Sequence, residues 1–123
     1  KKLNLLPQIM IIQQFKTKLK VNPTEITFAE TMQVIDDNFN FTPTTFTNGD
    51  IKNNAGENAG SCKLFAFAKK QKLTKQETLF CFGEHYKNVL EDEKGSSHQN
   101  IRNFMKTGFE VLSFEGDALV LKS

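Results

Sequence analysis

The chain has 123 residues and a formal net charge of +2 at pH 7, from 16 Lys and Arg against 14 Asp and Glu. This length predicts one domain that buries about two-thirds of its unfolded surface, and its twelve Phe are the main core material. The balanced charge argues against nucleic-acid binding by phosphate neutralisation. No apolar run reaches the roughly 18 residues of a membrane span, and no signal peptide with a cleavage site is recognisable.

The first predicted element is an amphipathic helix. Apolar residues recur at three- and four-residue steps from Leu3 to Leu19, which is one wide helical face. Pro7 fits only a first turn, so we expect the helix to begin at Asn4 to Leu6. Three lysines load its C-terminal end, where the helix dipole favours cations: Lys16, Lys18 and Lys20. Such a helix can lie on a membrane surface, but lysines clustered at one end favour a helix that closes over the core.

The second helix and a turn follow. Thr27 and Glu30 have capping-box spacing, so a helix is predicted from there to about Asn38. The segment Phe41 to Phe46, with β-branched and aromatic residues around a proline, predicts an edge strand or a rigid linker. Asn48-Gly49 is a strong turn signal, because both residues tolerate a positive φ.

Two more helices are predicted in the middle of the chain. Ser61 is expected to be the N-cap of a third helix that ends near Lys70. This helix is apolar almost all round, which indicates the central buried element. Thr74 and Glu77 form a second capping box, which predicts the start of a fourth helix.

The C-terminal part predicts one helix and two strands. Ser97 is expected to cap a fifth helix that stops at Gly108. The tail that follows has the pattern of a hairpin around Gly116. The predicted fold class is therefore α+β, with about five helices packed against a small antiparallel sheet that includes a C-terminal hairpin.

The stretch from Asn48 to Ala68 predicts a site, because a loop rich in Asn, Gly, Asp and Glu runs directly into a buried helix. The segment Gly56 to Lys63 does not fit a phosphate-binding loop. Three residues separate its glycines, and the lysine comes three residues after the second one. A simpler anion site remains open, since the first N–H groups of a helix attract a carboxylate or a phosphate.

Cys62 is a candidate nucleophile, with His98 or His85 as its base. A helix N-terminus stabilises a thiolate, and it disfavours the protonated form of a histidine in the first turn. The alternative, which we favour, is that Cys62 is a small core residue. Cys62 and Cys81 lack zinc-site spacing, and two buried free thiols are expected.

Arg102 and the asparagines of the loop can each have a ligand-binding role or a structural role. Arg102 is able to clamp a carboxylate or phosphate, or to fix the acidic loop near Glu91 and Glu93 by a salt bridge, which is the default. A group of oxygen-bearing side chains offers ligands for a hard cation: Asn48, Asp50, Asn53, Asn54, Glu57 and Asn58. Their spacing is not that of an EF-hand, so no metal site is predicted.

Three sequence blocks carry a family resemblance. They are FTPTTFTNG (Phe41–Gly49), NAGENAGSCKLFAFA (Asn54–Ala68) and HQNIRNFMKTG (His98–Gly108), supported by TLFCFGEHY (Thr78–Tyr86) and the terminal FEGDALVLK. In this order and spacing they resemble the HopJ type III effector proteins, over nearly the whole chain, so residues 1–123 are expected to be one HopJ-like domain. The resemblance implies a small α+β protein of a family first named from effectors that bacteria inject into plant cells. It implies no established reaction.

The resemblance also points to polar positions. These are Asn48, Gly49, Asn58, Gly60, Ser61, Cys62, Lys63, His98, Asn100 and Arg102. His85 stands where the resemblance leads us to expect Tyr, and Phe109 stands where it leads us to expect Trp. The Ser-rich leader typical of secreted effectors is not present, which argues against export and favours the bacterial cytoplasm. Type III export into a host cell is expected only of a true effector.

We therefore predict a non-enzymatic binding domain without a cofactor, in which a polar pocket takes a small anion, or an acidic or amide group of a partner protein. The predicted ligand-binding residues are Asn48, Asn58, Ser61, Lys63, Asn100 and Arg102. The alternative is a cysteine-dependent hydrolase or transferase that uses Cys62 and His98. A third hypothesis is a purely structural domain, and the sequence gives no oligomeric state.

Overall fold

The computed structural model describes the backbone of residues 2–123 and the side chains of residues 11–123. Within them the helices are α1 (Lys2–Val21), α2 (Phe28–Asn38), α3 (Ala59–Gln71), α4 (Lys75–Cys81), α5 (Glu84–Glu91) and α6 (Gln99–Thr107). The strands are β1 (Phe39–Phe41), β2 (Phe46–Asn48), β3 (Ile51–Asn53), β4 (Leu112–Phe114) and β5 (Leu119–Leu121). Two 3-10 helices lie at Pro23–Glu25 and Gly108–Val111. The α+β class is confirmed.

The C-terminal tail runs antiparallel to residues 39–48. The tail forms two strands on either side of Gly116, as predicted, but each strand pairs with an earlier one: β4 with β2, and β5 with β1. Thr42 N donates to Ala118 O and Glu115 N donates to Thr45 O, so one register continues across the gap between the two short ladders. The segment around Pro43, predicted to be an edge strand or a rigid linker, thus connects β1 to β2 and is itself not part of either strand.

Helix α3 forms the centre of the core, as its apolar sequence predicts. Leu64 and Phe65 are fully buried. The Phe65 ring lies 6.2 Å from that of Phe46, 5.4 Å from that of Phe82 and 4.9 Å from that of Phe104. One helix therefore packs simultaneously against the sheet, the α4 end and α6.

The starts of α3 and α6 differ from the prediction. The N-cap of α3 is Asn58 and not Ser61, and the N-cap of α6 is His98 and not Ser97. Both caps have left-handed backbone, with φ of 50° and 53°, and neither makes a side-chain capping hydrogen bond. The two serines do not cap these helices, because other contacts fix the chain before each helix. Asn58 donates to Asn53 Oδ1, and Ser97 O accepts a hydrogen bond from Arg102 of α6.

The predicted fourth helix is two helices, which raises the number from five to six in the described part of the chain. The break is at Gly83, which has φ of +58°. A Cβ atom at this position would lie 2.5 Å from the backbone nitrogen of Phe28, so the chain passes α2 too closely for any side chain. The capping box at Thr74 and Glu77 is confirmed, with both of its hydrogen bonds present.

Helix α1 begins at Lys2, earlier than predicted, so Pro7 lies beyond the first turn and one backbone hydrogen bond of the helix is lost. Of the predicted apolar face, Ile12, Phe15 and Leu19 are buried, and the positions before residue 11 lie outside the described side chains. None of the described helices is long and apolar enough to span a membrane.

Candidate functional site

A cluster of asparagines joins the β2–β3 hairpin to α6 at the centre of the site. It consists of Asn48, Asn53, Asn58, Asn100 and Asn103, and we call it the asparagine cluster. Asn100 Nδ2 donates to Asn53 Oδ1 at 2.9 Å, and Asn53 Nδ2 donates to Asn100 Oδ1 at 3.2 Å. Asn48 Nδ2 donates to the backbone oxygen of Asn100 at 2.8 Å. These three side chains are at most 8% exposed, and their bonds to one another satisfy most of their polar atoms away from water. Asn48 Oδ1 is buried without a hydrogen-bond partner among the described residues.

The edges of the asparagine cluster fix two more segments. Asn58 Nδ2 donates to Asn53 Oδ1 at 2.6 Å, which ties the start of α3 to the hairpin. Asn103 Nδ2 donates to the backbone oxygen of Asn48 at 3.0 Å and to Asp50 Oδ1 at 2.8 Å. The cluster thus positions the predicted loop and the start of α6 side by side.

A cavity of about 320 Å³ opens where these segments meet. Four of the predicted site residues line it: Asn58, Ser61, His98 and Asn100. The remaining lining residues come from α2, β3, α5, α6 and the segment between α4 and α5: Phe28, Ile51, Phe82, His85, Gln99 and Ile101. The cavity therefore combines a polar side with an apolar and aromatic side.

The backbone at two helix starts makes the polar side of this cavity electropositive. The first intrahelical bonds run from Cys62 N to Asn58 O and from Arg102 N to His98 O. The N–H groups of residues 59–61 and 99–101 come before these bonds, so the helices leave them without an intrahelical acceptor. Two such starts, each with the positive end of a helix dipole, favour a negatively charged group beside them.

Two histidines face each other at the cavity. Their ring centroids are 5.1 Å apart, and His85 packs edge-on against Phe28 at 4.8 Å. Among the described residues, no protein group hydrogen-bonds to a ring nitrogen of either histidine. Burial lowers the pKa of His98, and the charges of His85 and Arg102 lower it further. These effects favour the neutral form of His98, and a bound anion would make the ring easier to protonate.

Cys62 lies away from the cavity lining. Its side chain is 2% exposed, and its thiol donates to the backbone oxygen of Thr44 at 3.8 Å. Burial raises the pKa of the Cys62 thiol against the opposing effect of that hydrogen bond. A nucleophile needs the reverse, an accessible thiol with a lowered pKa. Cys62 and Cys81 are both buried and free, as predicted.

Lys63 and Arg102 also point elsewhere. Lys63 Nζ lies 2.9 Å from Asp36 Oδ1 and 5.1 Å from the ring centroid of Phe41. Arg102 donates to the backbone oxygens of Ser97 and Glu93. It therefore fixes the loop before α6, as its default interpretation predicts, through these carbonyl groups and through an ion pair in which Nη2 lies 3.9 Å from Asp92 Oδ2, between Glu91 and Glu93.

Sequence reasoning did not place Phe28, Ile51 or Gln99 at this site. Phe28 and Ile51 reach the cavity through long-range packing, for which no local pattern exists. Gln99 directly follows the cap of α6. A prediction of this cap at His98, in place of Ser97, would have placed Gln99 at the helix start and so at the site. In the part of the chain that the structure describes, no group of three or more His, Cys, Asp and Glu side chains is placed to hold a metal ion.

Comparisons with known proteins identify the family. No curated protein matches the chain. The crystal structure of VPA0580, a protein of unknown function, is similar with a TM-score of 0.88 and 51% sequence identity, over 89% of this chain and 92% of that one. A family model described as HopJ type III effector protein matches residues 12–119. The chain belongs to the HopJ type III effector protein family.

Proposed function

We propose that this chain is a binding domain whose cavity takes a small anion, either a free ligand or an acidic group of a partner protein. One observation carries the proposal: Asn58, Ser61, His98 and Asn100 come from two distant segments and line a single cavity. Each of these side chains carries a hydrogen-bonding group. Asn58 and His98 are exposed, so both are accessible to a ligand.

Charge favours an anion over an amide group in this cavity. The starts of α3 and α6 both contribute positive dipole ends, and His98 adds positive charge when it binds a proton. No acidic side chain is among the lining residues that the structure describes. Glu84 is adjacent in sequence to His85, but its carboxylate accepts a hydrogen bond from Phe28 N at 2.9 Å.

The proposal gives each residue a role. The Ser61 hydroxyl, the side-chain amide of Asn58 and the backbone N–H of Asn100 donate hydrogen bonds to the anion, and a protonated His98 donates one more. Asn48 holds Asn100 in place, because Asn48 Nδ2 donates to both the backbone oxygen and Oδ1 of Asn100. Lys63 and Arg102 support the surrounding structure, because each is engaged with its own neighbours.

Calorimetric titration tests the proposal with inorganic phosphate, acetate and acetamide as probes at pH 6. We expect saturable binding of an anion and weaker binding of acetamide. Ser61→Ala and His98→Asn should each weaken anion binding by about tenfold, the loss expected for one hydrogen bond to a charged group.

The control variant for this titration is Lys63→Ala, which removes a positive charge outside the cavity. We expect it to leave anion affinity within about twofold of the wild type, since an exposed pair such as Lys63–Asp36 contributes little. Binding that disappears in Lys63→Ala and survives in Ser61→Ala would contradict the proposed site.

We further propose that the domain acts in the bacterial cytoplasm. Two buried free cysteines support this location, because a reducing compartment keeps thiols in that state. The family description names type III effectors, so export into a host cell is the alternative. A translocation reporter fused to the chain decides between them, since a signal inside host cells that depends on the secretion apparatus would contradict a cytoplasmic role.

A further inference from the structure

We infer that the ligand of this cavity is an aromatic anion, meaning a planar ring that bears a carboxylate or a phosphate. The inference rests on the proposed anion site and adds what the rest of the ligand must be. It is carried by three aromatic rings that line the cavity, those of Phe28, His85 and His98, which we call the aromatic wall. His98 belongs both to this wall and to the polar side of the cavity.

The three rings of the aromatic wall form a continuous surface. His85 bridges the other two, with ring centroids 4.8 Å from Phe28 and 5.1 Å from His98. Phe82 lies parallel behind Phe28 at 6.3 Å and is itself buried. Phe28 and His85 are half-buried and His98 is exposed. A ligand can therefore contact the faces or edges of these three rings at the surface of the core.

The size of the cavity fits a ligand larger than a simple ion. Its volume of about 320 Å³ is within the range of pockets for organic ligands, roughly 300–1,000 Å³. Phosphate or acetate alone would contact the polar side and leave the aromatic wall in water. A ring attached to the anionic group would cover that wall, with the offset or edge-on contacts that aromatic groups prefer.

Gly60 gives independent support for the position of the wall. It is the second residue of α3, and its backbone does not have the positive φ that would require glycine. A Cβ atom there would lie 3.0 Å from Phe28 Cζ. The glycine therefore makes room for the Phe28 ring directly beside Ser61.

Titrations of the full chain with matched ligand pairs test the inference: phenyl phosphate against inorganic phosphate, and benzoate against acetate. We expect each aromatic anion to bind about tenfold more tightly than its simple counterpart. Phenol, which has the ring without the charge, should bind more weakly than either aromatic anion.

Two variants test whether the aromatic wall causes the higher affinity for aromatic anions. Phe28→Leu should remove the advantage of phenyl phosphate and leave inorganic phosphate within about twofold, because the polar side is intact. Gly60→Ala should reduce the advantage by displacing the Phe28 ring, in a helix that alanine favours. Phe109→Leu is the control, since Phe109 packs against Phe104 at 5.0 Å and does not line the cavity.

The possible outcomes separate this inference from the proposed function. Equal affinities for phenyl phosphate and inorganic phosphate would overturn the inference and leave the anion site standing. An aromatic advantage that survives in both Phe28→Leu and Gly60→Ala would also overturn it. No binding of any anion would overturn the proposed function, and the inference with it. Equal binding of phenol would show an apolar site and contradict both.

Discussion

His98 combines an unusual backbone with an unusual charge environment. It caps α6 with φ of 53°, and its pKa is lowered by burial and by the charges of His85 and Arg102. The folded pKa is thus below the unfolded value of about 6.5, so the unfolded chain binds a proton more readily than the folded one. Stability should fall as pH decreases below the unfolded pKa, and this loss is complete below the folded pKa.

The first prediction concerns this pH dependence. His98→Asn keeps a residue that tolerates left-handed backbone and removes the titrating group, so its free energy of unfolding should decrease less than that of the wild type between pH 7.5 and about 5.5. Urea denaturation at both pH values measures the difference. This window stays above the range in which Glu84 titrates, whose pKa is lowered by the hydrogen bond from Phe28 N. Identical pH dependence in the two proteins would contradict the assignment to His98.

The second prediction concerns Cys62. Because burial raises the pKa of its thiol, iodoacetamide should modify it at pH 7.5 far more slowly than a free thiol in a peptide. Peptide mass spectrometry separates it from Cys81, whose pKa burial raises to about 12. Replacement of His98 should not change the rate. A fast reaction that slows in His98→Asn would favour the cysteine-dependent hydrolase or transferase instead.

At the scale of structural elements, the asparagine cluster holds the loop and α6 together, and Asn53 is its central member. Asn53→Ala would leave the donors of Asn58 and Asn100 without their shared acceptor. We expect a loss of about 2–3 kcal/mol in the free energy of unfolding, since a buried polar group without a partner costs about 1–3 kcal/mol. Asn54→Ala, at a neighbouring exposed position, should change it by less than about 0.5 kcal/mol. Similar effects of the two substitutions would contradict this role.

The break between α4 and α5 depends on a close approach to α2. Gly83→Ala would place Cβ 2.5 Å from the backbone nitrogen of Phe28 and 2.8 Å from the carbonyl carbon of Thr27. Neither backbone atom can move without displacing α2, so we expect a loss of at least about 3 kcal/mol in thermal or urea unfolding.

The control for this substitution is Gly56→Ala. Gly56 also has a positive φ, of +92°, but nothing lies within 4 Å of its added Cβ. It should lose only the conformational preference of glycine, about 1 kcal/mol. Equal losses at the two glycines would mean that backbone conformation, and not the contact with α2, determines the break.

For the molecule as a whole, signals carried by neighbouring residues predicted the fold well. The capping box at Thr74 and the turn that follows Asn48 at Gly49 and Asp50 depend on residues close in sequence, and the burial of α3 was predicted from its apolar composition. The break at Gly83 escaped prediction because it depends on Phe28, far away in the sequence. The pairing of the tail escaped for the same reason: its strands have a hairpin pattern, and the partners they find are residues 39–48.

In the candidate site, too, the features that depend on neighbouring residues were predicted, and those that depend on long-range packing were not. Asn58, Ser61 and His98 were identified by residue type and by their position near helix starts, and Asn100 was identified by the family resemblance; all four line one cavity. The direction of Lys63 was not predictable, because its ion pair with Asp36 depends on the packing of α2 against α3. The aromatic wall was missed because Phe28 shows only a helical apolar pattern in the sequence.

The most direct test of the anion site is a phosphate titration of the ¹⁵N-labelled chain followed by NMR. We predict saturable shifts of the backbone amides of Ser61, Gln99 and Asn100, with one common dissociation constant, together with shifts of the His85 and His98 ring signals. The backbone amide of Asp36, whose carboxylate pairs with Lys63 outside the cavity, should move little. Shifts confined to lysine-rich surfaces, or no saturable shift at the two helix starts, would contradict the binding function proposed for this domain.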